Sequence, residues 1–220
     1  MITVVIPVGP FLANKRWLEE ALDSVKTQTR KPDEILIIDD MADLSDIYIG
    51  GCTYWKSPWR LGVAHAFNFG VALAKNELVF LLGSDDYMEP RCLELCIEEW
   101  KTNQKQDGYY YVGVQYLDDR EFNKQDVPCG AAMVTKNTWR KTGGFAVESA
   151  VGTSDANFVS QMMIHKAVPL IKVANGEILY NYRPHPESDT AYKQPWQGVI
   201  LQTRDLLTAQ WQKPNWGRYE

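Results

Sequence analysis

Several residue classes are scarce in this sequence, and each shortage removes a class of protein. Only four cysteines occur among 220 residues, at positions 52, 92, 96 and 129, with none of the Cys-x-x-Cys or Cys/His spacing of a zinc site. A structural disulfide framework is not expected in so large an intracellular chain. Cys92 and Cys96 stand four apart in a helical pattern with Leu93, Ile97 and Trp100, and read as buried small hydrophobes. Basic charge is not in excess: 23 Lys and Arg against 28 Asp and Glu leave a formal charge of −5. A non-specific DNA binder needs a basic face, which this balance argues against. No apolar run approaches the roughly 18 residues of a membrane helix. MITVVIPVGPF has neither a basic n-region nor a cleavage site, so it reads as a first strand and not a signal peptide. A soluble, cytoplasmic protein is expected. Low-complexity segments, internal repeats and long linkers are also missing, and with 45% apolar and 23% charged residues the chain reads as one globular domain.

Three short, continuously apolar runs, Ile2–Val8, Glu34–Ile38 and Leu78–Leu82, have the look of strands buried on both faces. Asn14–Thr29 and Gly62–Lys75 lie between them, each with apolar residues at helical spacing. Strand, helix, strand, helix, strand implies βαβ units and a parallel sheet with right-handed crossovers, so the fold class is α/β. A helix over Glu89–Asn103 follows, with Pro90 in its first turn. Strands are then expected at Tyr109–Val114, Ala131–Thr135, Val168–Val173 and Glu177–Arg183, and helices at Asn157–His165 and Gln197–Gln212. Tyr109, Tyr110 and Tyr111 would alternate across their strand. Of eight tryptophans, Trp139, Trp196, Trp211 and Trp216 could stack on an acceptor ring, though packing is the commoner use of such side chains.

In a parallel sheet the C-terminal strand ends open on one edge, where ligands bind. The first strand delivers Pro7-Val8-Gly9 to that edge. The second delivers Asp39 and Asp40, with Asp43 and Asp46 beyond, and the third Gly83-Ser84-Asp85-Asp86-Tyr87. Any one of these Asp residues could simply cap a turn. Two adjacent pairs on one rim are different: charges about 5 Å apart at an effective dielectric near 20 repel by roughly 3 kcal/mol. A cation, donor groups or raised pKa values must relieve them. A divalent metal carrying a phosphorylated ligand would do so.

The order of motifs resembles the inverting family 2 glycosyltransferases of GT-A fold. VVIPV at 4–8 and LDSVKTQTRKPDEILIIDD at 22–40 are similar to the family's opening. RLGVAHAFNFGVALAKNELVFLLGSDDYMEP at 60–90 is similar to its central motif, GAAMVTKNTWRKTGGF at 130–145 to its acceptor-side segment, and YRPHPES at 182–188 to its late histidine motif. The resemblance covers residues 2–188. It implies a Rossmann-like, mostly parallel central sheet flanked by helices, with a mixed C-terminal acceptor half. Residues 1–104 would form a nucleotide-sugar-binding half, 105–190 an acceptor and catalytic half, and 191–220 a helical tail.

The resemblance also implies roles. Pro7 and Val8 would border the nucleotide base, and Asp39 and Asp40 would face a uracil-like imide. Arg60 falls where the family places a base-contacting residue, Asn68 lies in its donor-side helix, and Asp85 would approach the ribose. Asp86 and His185 would hold a divalent metal bridging the diphosphate, Mn²⁺ ahead of Mg²⁺ because of the imidazole. Asp155, with Glu148 as competitor, would be the general base that deprotonates an acceptor hydroxyl. The expected partners are a nucleotide-diphosphate sugar, UDP-sugar favoured, and a hydroxyl-bearing glycan or small glycoside. The net charge only weakly disfavours a nucleic acid acceptor. The sequence departs from the family at Gly83, where an Asp is usual, at Met41-Ala42 after the Asp pair, and at Gly9-Pro10. A catalytically inactive nucleotide-binding or scaffold relative is therefore an alternative. A sugar-phosphate nucleotidylyltransferase is another, although PVGPFLANKRW is unlike its Gly-rich, Arg-containing loop.

Overall fold

The computed structural model describes residues 1–117, 131–145 and 168–187. Its central feature is a seven-stranded sheet. Strands β1 (Ile2–Val8), β2 (Glu34–Asp39), β3 (Thr53–Lys56), β4 (Leu78–Leu81), β6 (Tyr109–Tyr111), β8 (Ala132–Thr135) and β9 (Leu170–Lys172) are ordered β3-β2-β1-β4-β8-β6-β9. The four strands from β3 to β4 are parallel, whereas β8 runs antiparallel to both its neighbours. A second sheet has three strands, β5 (Tyr87–Met88), β10 (Ile178–Tyr182) and β7 (Gly113–Tyr116), with β10 in the middle. The mostly parallel first half and mixed second half are those expected from the sequence.

Both faces of the large sheet are covered, which explains its unbroken apolar strands. Val4, Ile6, Ile35, Ile37 and Phe80 pack with Leu18, Leu22 and Val25 of helix α2 (Leu18–Lys26) and with Leu93 and Cys96 of α4 (Cys92–Thr102). Val5, Leu36, Ile38, Val79 and Leu81 face the other way, toward Ala66 and Val71 of α3 (Val63–Leu73) and Trp139 of α5 (Lys136–Thr142). The tyrosines of β6 alternate as expected: Tyr110 joins the first layer, Tyr109 and Tyr111 the second. Cys92, Cys96 and Trp139 are buried, so Trp139 is packing and not an acceptor platform.

Three expectations need correction. The helix expected over Asn14–Thr29 is two helices, α1 (Leu12–Arg16) and α2, separated by Trp17 at φ −106°, ψ 2°, outside the helical well. The strand expected over Tyr109–Val114 divides at Val112, sending β6 to one sheet and β7 to the other. Gly113 permits the turn of direction, since a Cβ there would lie 2.4 Å from the Gly176 carbonyl oxygen. Pro90 lies in a turn ahead of α4, which starts at Cys92. Strand β3 was not foreseen, because this edge strand is largely exposed and carries no apolar run. The expected helices Asn157–His165 and Gln197–Gln212, and Trp196, Trp211 and Trp216, lie outside the described residues.

At the end of the sheet opposite the ligand edge, Glu34 ties strands together. Its Oε2 accepts from Thr3 Oγ1 at 2.9 Å and from the Lys75 backbone N–H at 2.8 Å, and its Oε1 from Thr53 Oγ1 at 3.3 Å. Burial opposes ionisation of Glu34, but the Lys75 N–H, the Thr3 hydroxyl and the Lys75 charge outweigh it and lower the pKa. A depressed carboxyl pKa contributes stability above the unfolded value, near 4 for Glu, and loses it as pH falls through the folded value. Glu34→Gln is therefore expected to cost about 1–3 kcal/mol at neutral pH. In urea melts the difference should shrink steadily below about pH 4; a difference independent of pH would contradict the assignment.

Candidate active site

The C-terminal edge of β1, β2 and β4 gathers the four carboxylates of the two Asp pairs, and the fold treats each differently. Asp39, fully buried, accepts from the Ala42 N–H at 2.6 Å and from the Tyr54 hydroxyl. Asp40 accepts from the backbone N–H groups of Leu61 and Gly62, at the entrance to α3, and pairs with Arg60 Nε at 3.2 Å. Both carboxylates expected to face a nucleobase thus already hold protein donors. Burial, followed by the hydrogen bond to Asp39 and that residue's charge, raises the Tyr54 pKa far above its ordinary value.

Pro7 and Val8 end β1 and are buried, and the Val8 carbonyl accepts the Asp40 N–H at 2.8 Å. The Val8 side chain belongs to the core, so a ligand at this edge would meet the strand through its backbone. Next to it the backbone is closely approached: a Cβ on Gly9 would lie 3.2 Å from Asn14 Nδ2 and 3.3 Å from Arg60 Nη1. Those groups and the half-exposed Arg60 guanidinium, stacked 5.3 Å from the Phe11 ring centroid, form a donor-rich wall beside the carboxylates.

The second pair is completed from the far end of the sequence. Strand β10 brings Tyr180, whose hydroxyl donates to Asp86 Oδ2 at 2.6 Å and accepts from the Gly83 N–H at 3.1 Å. Just past the end of β10 the Arg183 N–H donates to Asp86 Oδ1 at 2.8 Å. Both oxygens of Asp86 are therefore occupied within the protein. Burial and the neighbouring Asp85 charge push the Asp86 pKa well up, against the pull of Tyr180 and Arg183. Asp86, expected as a metal ligand, braces the loop in this geometry. Asp85 is the carboxylate that meets His185, at 2.8 Å between Oδ2 and Nε2. Gly83, in the place of a usual Asp, lets both lean inward, since a Cβ there would lie 2.7 Å from Asp86 Oδ2 and 2.9 Å from Asp85 Oδ1.

Among the described residues no three His, Cys, Asp or Glu side chains form a metal cage. A smaller site does fit the donors present. Ligands at right angles on an ion held at 2.0–2.1 Å stand roughly 3 Å apart, close to the Asp85–His185 spacing. An ion delivered with a diphosphate needs only one or two protein ligands beside the phosphate oxygens and water. His185 is held by the indole of Trp17 at 5.1 Å between ring centroids, and its Nδ1 is buried without a hydrogen-bond partner. Trp17 also carries Arg183 at 4.7 Å, and that guanidinium pairs with Glu20 at 2.6 Å.

Asn68 is half-buried on α3. Its carboxamide, expected on the donor side, binds both backbone groups of Phe145. Asp155 and Glu148 lie outside the described residues. Sequence reasoning missed Trp17, Tyr54, Tyr180 and Arg183. Trp17 fits the apolar spacing of its helix, and the other three act across long separations that no local pattern reveals.

The glycosyl transferase family 2 model matches residues 3–147. The chain belongs to that family. Among curated family 2 relatives, the chondroitin synthase of Pasteurella multocida (strain Pm70) and the hyaluronan synthase of Pasteurella multocida are each 31% identical over 61% of this chain. The chain spans 16% of the length of either. In fold it is similar to residues 1–349 of S. aureus TarS crystallised with UDP-GlcNAc, with a TM-score of 0.74 and 13% identity over 94% of this chain and 65% of that one. The same fragment with UDP matches with a TM-score of 0.67 and 14% identity, over 84% and 61% of the two chains. The fold of this family 2 chain is GT-A. No helix among the described residues is long and apolar enough to cross a membrane.

The bracing role of Asp86 can be measured directly. Tyr180→Phe removes one hydroxyl from a buried carboxyl and is expected to cost about 1–3 kcal/mol in denaturant unfolding. A variant as stable as the parent would show that the Tyr180–Asp86 contact supports nothing.

Proposed function

We propose that this chain is a metal-dependent, inverting glycosyltransferase that moves a sugar from a nucleotide-diphosphate sugar, UDP-sugar favoured, to the hydroxyl of a glycan or small glycoside. The observation that carries this reading is the Asp85–His185 pair, joined across 100 residues at the ligand edge of a parallel sheet in a family 2 chain. UDP is favoured because fold neighbours were crystallised with UDP and UDP-GlcNAc. Residues 1–104 would bind the donor and 105–190 the acceptor.

Asp85 and His185 would hold a divalent ion, and the imidazole favours Mn²⁺ over Mg²⁺. When bound, the ion supplies positive charge for the departing diphosphate. To ligate through Nε2, His185 must carry its proton on Nδ1. Arg60 and Asn14, beside Gly9, offer donors to the nucleotide, and the backbone of Pro7 and Val8 borders it. Asp39 and Asp40 act mainly by shaping this wall, through Tyr54 on one side and the entrance to α3 on the other. Asp155, with Glu148 as the other candidate, takes the proton from the acceptor hydroxyl as that oxygen bonds to the anomeric carbon. The bond from that carbon to the diphosphate oxygen breaks on the opposite face, so the anomeric centre inverts without a covalent enzyme intermediate.

Calorimetric titration with UDP, GDP, CDP and dTDP, each with and without Mn²⁺, tests the donor side. UDP is expected to bind only with Mn²⁺, and Asp85→Asn to weaken it at least about tenfold, or about 1.4 kcal/mol. Asp155→Asn should bind UDP normally and lose about 10²–10⁴-fold in transfer. Failure of every nucleotide to bind would favour an inactive relative, and a fully active Asp155→Asn enzyme would remove the mechanism.

A further inference from the structure

Helix α3 is fastened at several points. At its entrance, the Leu61 and Gly62 N–H groups are held by Asp40 on the proposed nucleotide side. Along its length Gly70 lies directly on β1, where a Cβ would come within 2.3 Å of Val5 Cγ1, so the helix sits closer to the sheet than any other residue would allow. Between these points Asn68 reaches the turn after α5. Its Nδ2 donates to the Phe145 carbonyl at 2.9 Å, and its Oδ1 accepts the Phe145 N–H at 2.9 Å. A carboxamide has both a donor and an acceptor on one rigid plane, so it can engage both backbone groups of one residue as a strand partner would.

The turn is shaped for this grip. Gly143 ends α5 at φ +78° and Gly144 continues at φ +75°. A Cβ on Gly144 would lie 2.4 Å from Asn68 Oδ1 and 2.6 Å from Trp139 Nε1, so only glycine lets the turn come so near. The Phe145 ring packs edge-on against Phe67 of α3 at 5.5 Å and Trp139 of α5 at 4.9 Å. One helix therefore holds both the loop beside Asp40 and Phe145, which precedes Glu148 and Asp155 in the sequence.

We infer that Asn68 is a positioning residue: it clamps Phe145 to α3 and so sets the acceptor-side segment relative to the donor-side loop, without touching the nucleotide. This rests on the glycosyltransferase reading, in which the base is supplied from beyond Phe145 in the sequence. Small misplacements of reacting groups have large kinetic effects, and this is the quantity to read.

The test uses Asn68→Asp and Asn68→Ala in the full chain. Asp keeps the volume of Asn but opposes a carboxylate oxygen to the Phe145 carbonyl, whereas Ala removes both bonds. With UDP and Mn²⁺, affinity is expected to stay within about twofold of the parent while turnover with donor and acceptor falls at least about tenfold. Amide hydrogen exchange at Phe145 should accelerate in Asn68→Ala, and this readout does not depend on activity. Loss of UDP affinity with unchanged Phe145 exchange would overturn the inference and make Asn68 a donor contact. Unchanged turnover in both variants would overturn it too. If the parent protein itself neither binds a nucleotide diphosphate nor transfers sugar, the glycosyltransferase reading fails and the catalytic role of Asn68 fails with it. Exchange at Phe145 would still report whether the clamp exists.

Discussion

Four carboxylates lie at one edge of the sheet, and water cannot reach most of them. Three of the four, Asp39, Asp40 and Asp86, are buried. An ionised carboxylate without partners in such a place costs several kcal/mol, so the chain folds only if donors arrive with it. Much of the irregular architecture answers that requirement. The edge strand β3 brings the Tyr54 hydroxyl to Asp39, and the approach to α3 turns two backbone N–H groups onto Asp40. The small sheet exists beside the large one, and its central strand carries Tyr180 and the Arg183 N–H to Asp86. Asp85 alone of the four is left facing an imidazole, a group that can itself bind a cation.

This division of labour explains how the site can be both stable and reactive. Carboxylates saturated by the protein hold loops in place, and in the proposed function the one paired with histidine exchanges that partner for a ligand. The loop from Gly83 to Asp86 is pinned at both ends, by Tyr180 on Gly83 and by Tyr180 and Arg183 on Asp86. Asp85 therefore projects from a fixed frame, as a preorganised ligand should. His185 is fixed less by polar bonds than by the Trp17 ring, which also supports Arg183.

Much of the fold was legible in the sequence because continuous apolar runs and helical spacing are strong signals. Ile2–Val8 matches β1 residue for residue, and the alternation of Tyr109, Tyr110 and Tyr111 follows from the pleat. What was hidden depends on contacts between distant residues. Nothing local marks Trp17 as a helix break or Gly113 as the point where the chain changes sheets. The gathering of the acidic pairs at one sheet edge was legible from strand ends. The separate duties of Asp85 and Asp86 were not, because adjacent residues of one type carry the same sequence signal. Only the arrival of β10 from 94 residues away distinguishes them. Asn68 was similarly ambiguous, since a polar residue on a helix facing a site suggests a ligand before it suggests a backbone clamp.

The central claim is that Asp85 and His185, and not Asp86, present the cation to a nucleotide diphosphate. Pulsed electron paramagnetic resonance of the protein with Mn²⁺ and UDP reads this directly, because nuclei bound to the ion modulate its spin echo. Phosphorus coupling from the diphosphate and nitrogen coupling from one imidazole are expected, the latter lost in His185→Gln. A Mn²⁺–UDP complex whose echo shows no histidine nitrogen, or an unchanged nitrogen signal in His185→Gln, would contradict it.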